Sequence, residues 1–194
     1  MKRLLLVTSP PACGKTFVSK ELARALNPIV YLDKDTLIVL SKQIFVVANQ
    51  EFNRSSAFFE ANIRNYEYDA IVNLALESLD YSPRCLINAP FTREVRNVDY
   101  MRALRAKLRE KGAILTVVWV KTDPEVVHQR MIKRNSERDT WKIQNWDAYN
   151  AGVNYRIPET LNDRTVTDEF FVVNNNGQEE LRTSLAELVA KLQD

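Results

Sequence analysis

An apolar run near the start of the chain passes directly into a short turn and then into a helical pattern. Residues 2–8 read KRLLLVT, which is typical of a buried strand, and Ser9-Pro10-Pro11 ends the run. From Lys15 onward, apolar residues recur at helical spacing. The residues predicted to form the buried face of this helix are Phe17, Val18, Leu22 and Leu26. A buried strand that leads straight into an amphipathic helix predicts an α/β protein.

The alternation of strands and helices continues to the end of the chain. Further strands are predicted at 29–32, 84–89, 113–120 and 169–173. Helices are predicted at 35–47, 56–79, 101–108, beyond Pro124 and at 180–192. The stripe expected to be buried in the long helix at 56–79 is Phe59, Ile63, Tyr66, Ala70 and Leu74. Five strands interleaved with helices predict a single domain over 1–194, built on a parallel sheet with helices on both faces.

Composition excludes several classes of protein. The 194 residues include 27 Lys plus Arg and 25 Asp plus Glu, so the formal charge is only +2, which argues against a polybasic surface for nucleic acid. Two cysteines and one histidine exclude a disulfide framework and leave almost no room for a zinc site. We find no apolar run of the roughly 18 residues that a membrane span needs. We therefore expect a cytoplasmic protein that does not contact membranes.

The turn at 9–16, SPPACGKT, matches the phosphate-binding pattern G-x-x-x-x-G-K-[ST] except that Ser9 replaces the first glycine. In this pattern, backbone N–H groups and the helix N-terminus surround a polyphosphate. Lys15 is expected to bridge the β- and γ-phosphates, and the Thr16 hydroxyl to bind Mg²⁺. The predicted nucleotide-binding residues of the loop are Pro11, Ala12, Cys13, Gly14, Lys15 and Thr16. The alternative is an ordinary strand-to-helix turn with a surface lysine.

Carboxylates follow the second predicted strand, which ends with YLDKD at 31–35. The carboxyl ends of parallel strands meet at one edge of a sheet, so Asp33 and Asp35 should face the same crevice as the phosphate-binding turn. One carboxylate could accept a proton from an acceptor hydroxyl, and the other could hold a metal-bound water or the acceptor. The alternative is that Asp35 only caps a helix. The third strand ends at Asn88, where many nucleotide hydrolases carry a metal-holding aspartate, and an amide is a weak ligand for Mg²⁺.

Three arginines recur at helical spacing late in the chain. Arg130, Arg134 and Arg138 stand at i, i+4 and i+8, which predicts that they share one helix face and contact a triphosphate. The alternative is a solvated basic face screened by Glu137 and Asp139. Arg93 is a candidate contact for the acceptor.

Taken in order, these motifs resemble those of the small P-loop kinases of the nucleoside-monophosphate-kinase-like group. The chain is most similar to AAA_33-type ATPases or kinases, which also resemble gluconate kinase, chloramphenicol phosphotransferase, zeta toxin and phage polynucleotide kinase. The segments that carry the resemblance are SPPACGKT at 9–16, YLDKD at 31–35, INAPFT at 87–92 and RMIKRNSERDTWK at 130–142.

The resemblance implies a three-layer P-loop NTPase fold with strand order 2-3-1-4-5 and a small helical lid near 130–150. It implies that Asp35 is the base toward the acceptor hydroxyl, with Asp33 as its neighbour. It assigns the lid arginines to Arg130, Arg134 and Arg138, and an adenine-contacting loop to 174–177, which includes Asn175.

Together, these observations predict an ATP- and Mg²⁺-dependent phosphotransferase that acts on a hydroxyl of a small-molecule or nucleotide-like acceptor. The predicted catalytic residues are Lys15, Asp35, Arg134 and Arg138; Arg130 and Asn175 complete the nucleotide site, and Asp33 and Arg93 the acceptor site. Three alternatives remain: a regulatory ATPase without a small acceptor, a polynucleotide 5′-hydroxyl kinase, and an inactive structural relative. The small net charge gives the polynucleotide kinase little support.

Overall fold

One five-stranded parallel sheet forms the centre of the molecule. The computed structural model describes residues 1–136 and 139–193. Its strands are β1 (Lys2–Thr8), β2 (Val30–Asp33), β3 (Arg84–Asn88), β4 (Ala113–Lys121) and β5 (Glu169–Asn174). They run in the order β2-β3-β1-β4-β5, as predicted. β1 pairs with both β3 and β4, so the loop that follows β1 emerges from the middle of the sheet.

Helices cover both faces of the sheet. Those in the described residues are α1 (Lys15–Ala25), α2 (Ile38–Val47), α3 (Ala57–Asn62), α4 (Arg64–Ser78), α5 (Val98–Glu110), α6 (Pro124–Arg134), α7 (Thr140–Gln144), α8 (Trp146–Gly152) and α9 (Gln178–Gln193). Alternate side chains of β1 point to opposite faces: Leu4 and Leu6 pack with α4 and α5, whereas Leu5 and Val7 pack with α1, α6 and α9. None of the helices in the described part combines the length and apolar character needed to cross a membrane.

The prediction of a single helix at 56–79 is wrong. The structure has two helices there, α3 and α4, separated at Ile63, whose φ is −129°. The break changes which side of the segment faces the core: Phe59 and Ile63 pack with Phe45, whereas the buried face of α4 begins at Tyr68. Tyr66 and Leu74, which the unbroken stripe places in the core, are exposed. The prediction assumes one continuous helix, so it assigns Tyr66 and Leu74 to the wrong face of the segment after Ile63.

Two other expectations fail for local reasons. Phe17 is 56% exposed, because the face of α1 that packs on the sheet is centred on Val18 and Leu22. The arginine spacing does not continue along one helix either. Helix α6 ends at Arg134, because Asn135 takes the left-handed conformation with a φ of 45°. The two short helices α7 and α8 occupy the predicted lid segment after residue 139.

Candidate active site

The loop between β1 and α1 is held in a tight conformation by two left-handed residues. Ala12 has a φ of 63° and Gly14 a φ of 86°, and α1 begins at the next residue, Lys15. Left-handed backbone costs a non-glycine residue about 1–2 kcal/mol, so Ala12 is held there by its surroundings. Ser9, which replaces the glycine of the usual pattern, is fully buried, and its hydroxyl donates to the Pro10 carbonyl at 2.9 Å. The loop therefore closes without its first glycine.

The far side of the loop is anchored to the ends of β4 and β5. The Asn175 side chain donates to the Cys13 carbonyl at 2.7 Å, and the Thr122 hydroxyl donates to the same oxygen at 3.0 Å. Gly14 is needed at this point because a Cβ there would lie 2.2 Å from Nδ2 of Asn175. Asn175, predicted to contact the nucleotide, is buried, and its amide faces the loop. Burial also raises the pKa of the Cys13 thiol to about 11, which leaves it uncharged.

Arg130 lies beside this anchor and keeps one N–H group available. Its Nη2 donates to the backbone oxygen of Asn175 at 2.7 Å and to the side-chain oxygen at 3.2 Å. Its Nη1 is buried and has no hydrogen-bond partner among the described residues. This atom is 3.6 Å from the position of a Cβ on Gly14. A buried cationic N–H without a partner, next to a loop rich in backbone N–H groups, fits an anionic group such as a phosphate.

Lys15 points across the carboxyl edge of the sheet to Asn88. Its Nζ donates to Oδ1 of Asn88 at 2.9 Å. The amide Nδ2 of Asn88 lies 3.2 Å from the Thr16 hydroxyl and 2.8 Å from Oδ2 of Asp33. Burial lowers the pKa of Lys15 from 10.5, while the negative charges of Asp35 and Asp33 oppose this shift. Asn88 thus connects the lysine, the threonine and a carboxylate of the predicted site.

The two aspartates after β2 have different environments. Asp33 caps the short 3-10 helix at Lys34–Leu37, because its Oδ1 accepts the N–H of Asp35 at 3.0 Å. The cap assigned to Asp35 in the alternative interpretation therefore belongs to Asp33. Asp33 also accepts from the Tyr31 hydroxyl at 3.1 Å, and burial together with this carboxylate raises the pKa of Tyr31 to about 12. Asp35 itself is exposed toward the cleft.

A buried ionic cluster behind Asp35 was not visible in the sequence. Nζ of Lys34 lies 2.6 Å from Oε2 of Glu67, and both side chains are only 4% exposed. Arg54 pairs with both oxygens of Glu67, at 2.7 and 2.8 Å, and the Ser41 hydroxyl also donates to this carboxylate. The cluster fixes the 3-10 helix that carries Asp35 to α4. Its members come from four separate segments, so no local sequence motif predicts the cluster.

These elements surround a cleft of about 510 Å³ at the carboxyl edge of the sheet. The residues that line it are Pro10, Pro11, Ala12, Gly14, Lys15, Thr16, Phe17, Asp35, Pro90, Arg130, Arg134, Asp139 and Lys142. Nε of Arg134 donates to the buried Asp139 at 2.8 Å, and Lys142 reaches the same carboxylate at 3.3 Å. The structure therefore brings Lys15, Thr16, Asp35 and two predicted arginines to one cavity. The third predicted arginine, Arg138, lies outside the described residues.

Arg93 is outside this cleft. It forms a two-pronged ion pair with Glu60, with N–O distances of 2.7 and 3.2 Å, and it lines two smaller cavities of about 320 and 350 Å³. The smaller of these shares Pro10 and Pro11 with the main cleft. Glu60 has its pKa lowered by the hydrogen bond from Arg93.

Solved structures with the same fold include several kinases. A provisionally assigned kinase from Chloroflexus aurantiacus superposes with a TM-score of 0.59 at 16% identity, covering 99% of this chain and 97% of that one. The APS kinase CysC of Mycobacterium tuberculosis, solved with AMPPNP and APS, gives 0.55 at 15% identity, with coverage of 100% and 98%. Shikimate kinase from Bacteroides thetaiotaomicron gives 0.53 at 18% identity, with coverage of 100% and 99%.

At these identities the superpositions establish a shared fold. Among curated proteins, no sequence matches this chain significantly. The profile of the AAA_33 family, described as an AAA domain, matches residues 4–154, which include the phosphate-binding loop and every residue named above as lining the cleft. The chain therefore belongs to the AAA_33 family and has the fold of the P-loop kinases.

Proposed function

We propose that this chain is an ATP- and Mg²⁺-dependent phosphotransferase that moves the γ-phosphoryl group of ATP to a hydroxyl of a small-molecule or nucleotide-like acceptor. The observation that carries the proposal is that one cleft combines a phosphate-binding loop, a buried guanidinium N–H of Arg130 with no partner in the described chain, and an exposed carboxylate of Asp35. The first two suit the nucleotide, and the third suits an attacking hydroxyl.

The nucleotide phosphates would lie in the loop at 9–16. Backbone N–H groups of the loop and the first turn of α1 would hold the β-phosphate, and Lys15 would leave Asn88 to contact the β- and γ-phosphates. Arg130 is already oriented by its bonds to Asn175, so its Nη1 can bind a phosphate oxygen with little loss of side-chain freedom. The Arg134 guanidinium would leave the Asp139 carboxylate and bind the transferring phosphoryl group.

The residues present fit a bound Mg²⁺ only together with the nucleotide. In the described residues, no group of three or more His, Cys, Asp or Glu side chains is placed to hold a metal ion alone. Thr16, the last residue of the loop, provides a hydroxyl. The amide of Asn88 donates both to this hydroxyl and to the carboxylate of Asp33, so Asp33 lies close to it. When bound with ATP, Mg²⁺ neutralises charge on the β- and γ-phosphates. The hydroxyl of Thr16 would be a direct ligand, and Asp33 would hold a water of the metal.

Asp35 would act as the base toward the acceptor hydroxyl. Its carboxylate takes the proton of the acceptor hydroxyl as that oxygen forms its bond to the γ-phosphorus, and the bond from phosphorus to the β-γ bridging oxygen breaks to release ADP. Its position supports this role, because the exposed Asp35 lines the same cleft as Lys15 and Thr16. The cluster of Lys34, Arg54 and Glu67 keeps the helix of Asp35 in place.

One observation favours a second function, a regulatory ATPase without a small acceptor. Asn88 stands at the strand end where an acidic residue usually holds the metal and polarises water, and an amide does neither well. Such a protein would hydrolyse ATP slowly, at a rate that added metabolites do not change. It would also capture a partner protein only when ATP is bound.

A phosphorylation screen separates the two functions. Purified protein is mixed with γ-labelled ATP, Mg²⁺ and a library of alcohols, and transfer of label is measured, with Lys15→Ala as the blank. The phosphotransferase function predicts at least one labelled product that the blank lacks. Label released only as inorganic phosphate, at the same rate with every library member, contradicts it and supports the regulatory ATPase.

A further inference from the structure

We infer that the acceptor is an uncharged alcohol on an apolar scaffold, an inference that rests on the phosphotransferase function proposed above. The chain segment 34–96, which we call the acceptor half, contributes Asp35 and Pro90 to the cleft. Arg and Lys side chains often bind carboxylates and phosphates, so the basic residues of this half indicate whether it offers a site for an anionic acceptor.

Four cations of the acceptor half are already neutralised by carboxylates. Lys34 and Arg54 lie 2.6 and 2.7 Å from Glu67. Arg64 is 2.8 Å from Glu94, and Arg93 is 2.7 Å from Glu60. Three of these pairs are largely buried, so an anionic acceptor would have to separate them and leave a buried carboxylate unpaired, which costs several kcal/mol.

The other three cations of the acceptor half have different partners. Arg84 donates to the Leu26 carbonyl at 3.2 Å, and Arg96 donates to the Thr92 carbonyl at 2.5 Å. Lys42 lies over the ring of Phe52. Lys42 follows Asp35 by seven residues, which is about 10 Å along a helix. Among the described residues of the acceptor half, none of the seven cations lines the main cleft that contains Asp35.

Apolar side chains line the cleft that contains Asp35. Phe17, on the first turn of α1, lines it together with Pro90, and Phe17 is 56% exposed. An exposed aromatic ring in a cleft gains stability when an apolar ligand covers it. The cleft therefore combines the cations of the proposed nucleotide site with apolar side chains that an acceptor could cover.

The first test uses acceptors matched in shape and different in charge. The screen contains 1,4-benzenedimethanol and 4-(hydroxymethyl)benzoate, which share a ring and a primary hydroxyl, within a library split evenly between uncharged and anionic alcohols. We expect kcat/KM at least tenfold higher for uncharged members than for their anionic matches. The reverse preference overturns the inference and leaves the phosphotransferase function intact. Transfer to no member, while ATP still raises the melting temperature, overturns both.

The second test uses variants of two exposed residues. Phe17→Ser should raise KM for the preferred acceptor about tenfold and leave KM for ATP unchanged, whereas Phe17→Leu, which keeps an apolar side chain, should change the acceptor KM less than threefold. Glu60→Gln releases Arg93 and should raise kcat/KM for anionic alcohols several-fold. An acceptor KM that does not respond to Phe17→Ser contradicts the apolar wall, and an unchanged anionic rate in Glu60→Gln contradicts the role of ion pairing.

Discussion

Asn88, at the end of β3, donates its amide N–H to Asp33, at the end of β2, over 2.8 Å. The two residues are directly opposite each other in the strand register. The negative charge that P-loop proteins often carry on the third strand is therefore found here one strand further out, on Asp33. Asn88 uses its oxygen for Lys15 and its nitrogen for Thr16 and Asp33, so it holds the site together without contributing charge.

Asn88→Asp should destabilise the protein in the absence of Mg²⁺. The new carboxylate would lie within about 3 Å of the Asp33 carboxylate, where two negative charges repel, and the N–H bonds to Thr16 and Asp33 would be lost. We expect a loss of about 1–3 kcal/mol in the free energy of unfolding, measured by urea titration. Mg²⁺ with ATP should recover part of this loss. Equal stability of the two proteins without Mg²⁺ would contradict the contact between Asn88 and Asp33.

Gly14→Ala tests the fit between the loop and Asn175. The added Cβ would lie 2.2 Å from Nδ2 of Asn175, so the amide must move and lose its bond to Cys13. Gly112→Ala is the matched control, because Gly112 also has a positive φ, 65°, but a Cβ there meets nothing within 4 Å. Urea unfolding should show Gly14→Ala less stable than Gly112→Ala by about 1–3 kcal/mol. If the two variants lose equal stability, only backbone strain is involved.

Lys15→Met should remove about half or more of the stabilisation that ATP gives. A ligand at 100 times its Kd stabilises by about 2.7 kcal/mol, which for a chain of this size raises the melting temperature by roughly 5–10 °C. Loss of a charged contact of about 1.5–3 kcal/mol weakens ATP binding at least tenfold. Lys20→Met, an exposed position on the same helix, is the control and should keep the full rise. Thermal melts with and without ATP measure this rise for both variants. An equal rise in melting temperature for Lys15→Met and Lys20→Met would contradict a contact between Lys15 and ATP.

Glu67→Gln should cost much more stability than Glu60→Gln. Glu67 is buried between Lys34 and Arg54, and removing one partner of a buried ion cluster costs about 3–5 kcal/mol. The pair of Glu60 with Arg93 is exposed, and such pairs contribute about 0–1 kcal/mol. Urea midpoints at neutral pH measure both. Similar small losses would show that the cluster does not hold the helix of Asp35.

The effect of Glu67→Gln should also depend on pH. Burial alone would raise the pKa of Glu67, but hydrogen bonds from Arg54, Lys34 and Ser41 outweigh it and hold the pKa below its usual value of 4.5. Because the pKa is lower in the folded protein, the carboxylate contributes its full stability above that usual value and loses it as pH falls through the folded pKa. The stability difference between wild type and Glu67→Gln should therefore be constant from pH 6 to 8 and shrink below about pH 4.

The strands and the phosphate-binding loop could be predicted because their signals are local. KRLLLVT and SPPACGKT each lie within a few residues, and the strand order followed from the resemblance that they supported. The break at Ile63 could not be predicted, because apolar residues continue at helical spacing through it. Only the packing of Phe59 and Ile63 against Phe45 shows that α3 belongs to a separate cluster.

The site itself was predicted in part. Lys15, Thr16 and Asp35 lie in the cleft where parallel strands should place them. The contacts that position them join residues far apart in the chain, such as Gly14 with Asn175 and Lys34 with Glu67. A single sequence carries no record of such pairs.

A crystal structure with AMPPNP and Mg²⁺ tests directly whether the loop at 9–16 binds the phosphates of ATP. We expect the β- and γ-phosphates inside the loop, with Nζ of Lys15 moved from Asn88 to their oxygens and Nη1 of Arg130 bonded to a phosphate oxygen. A nucleotide bound elsewhere, with Lys15 still on Asn88, would contradict it.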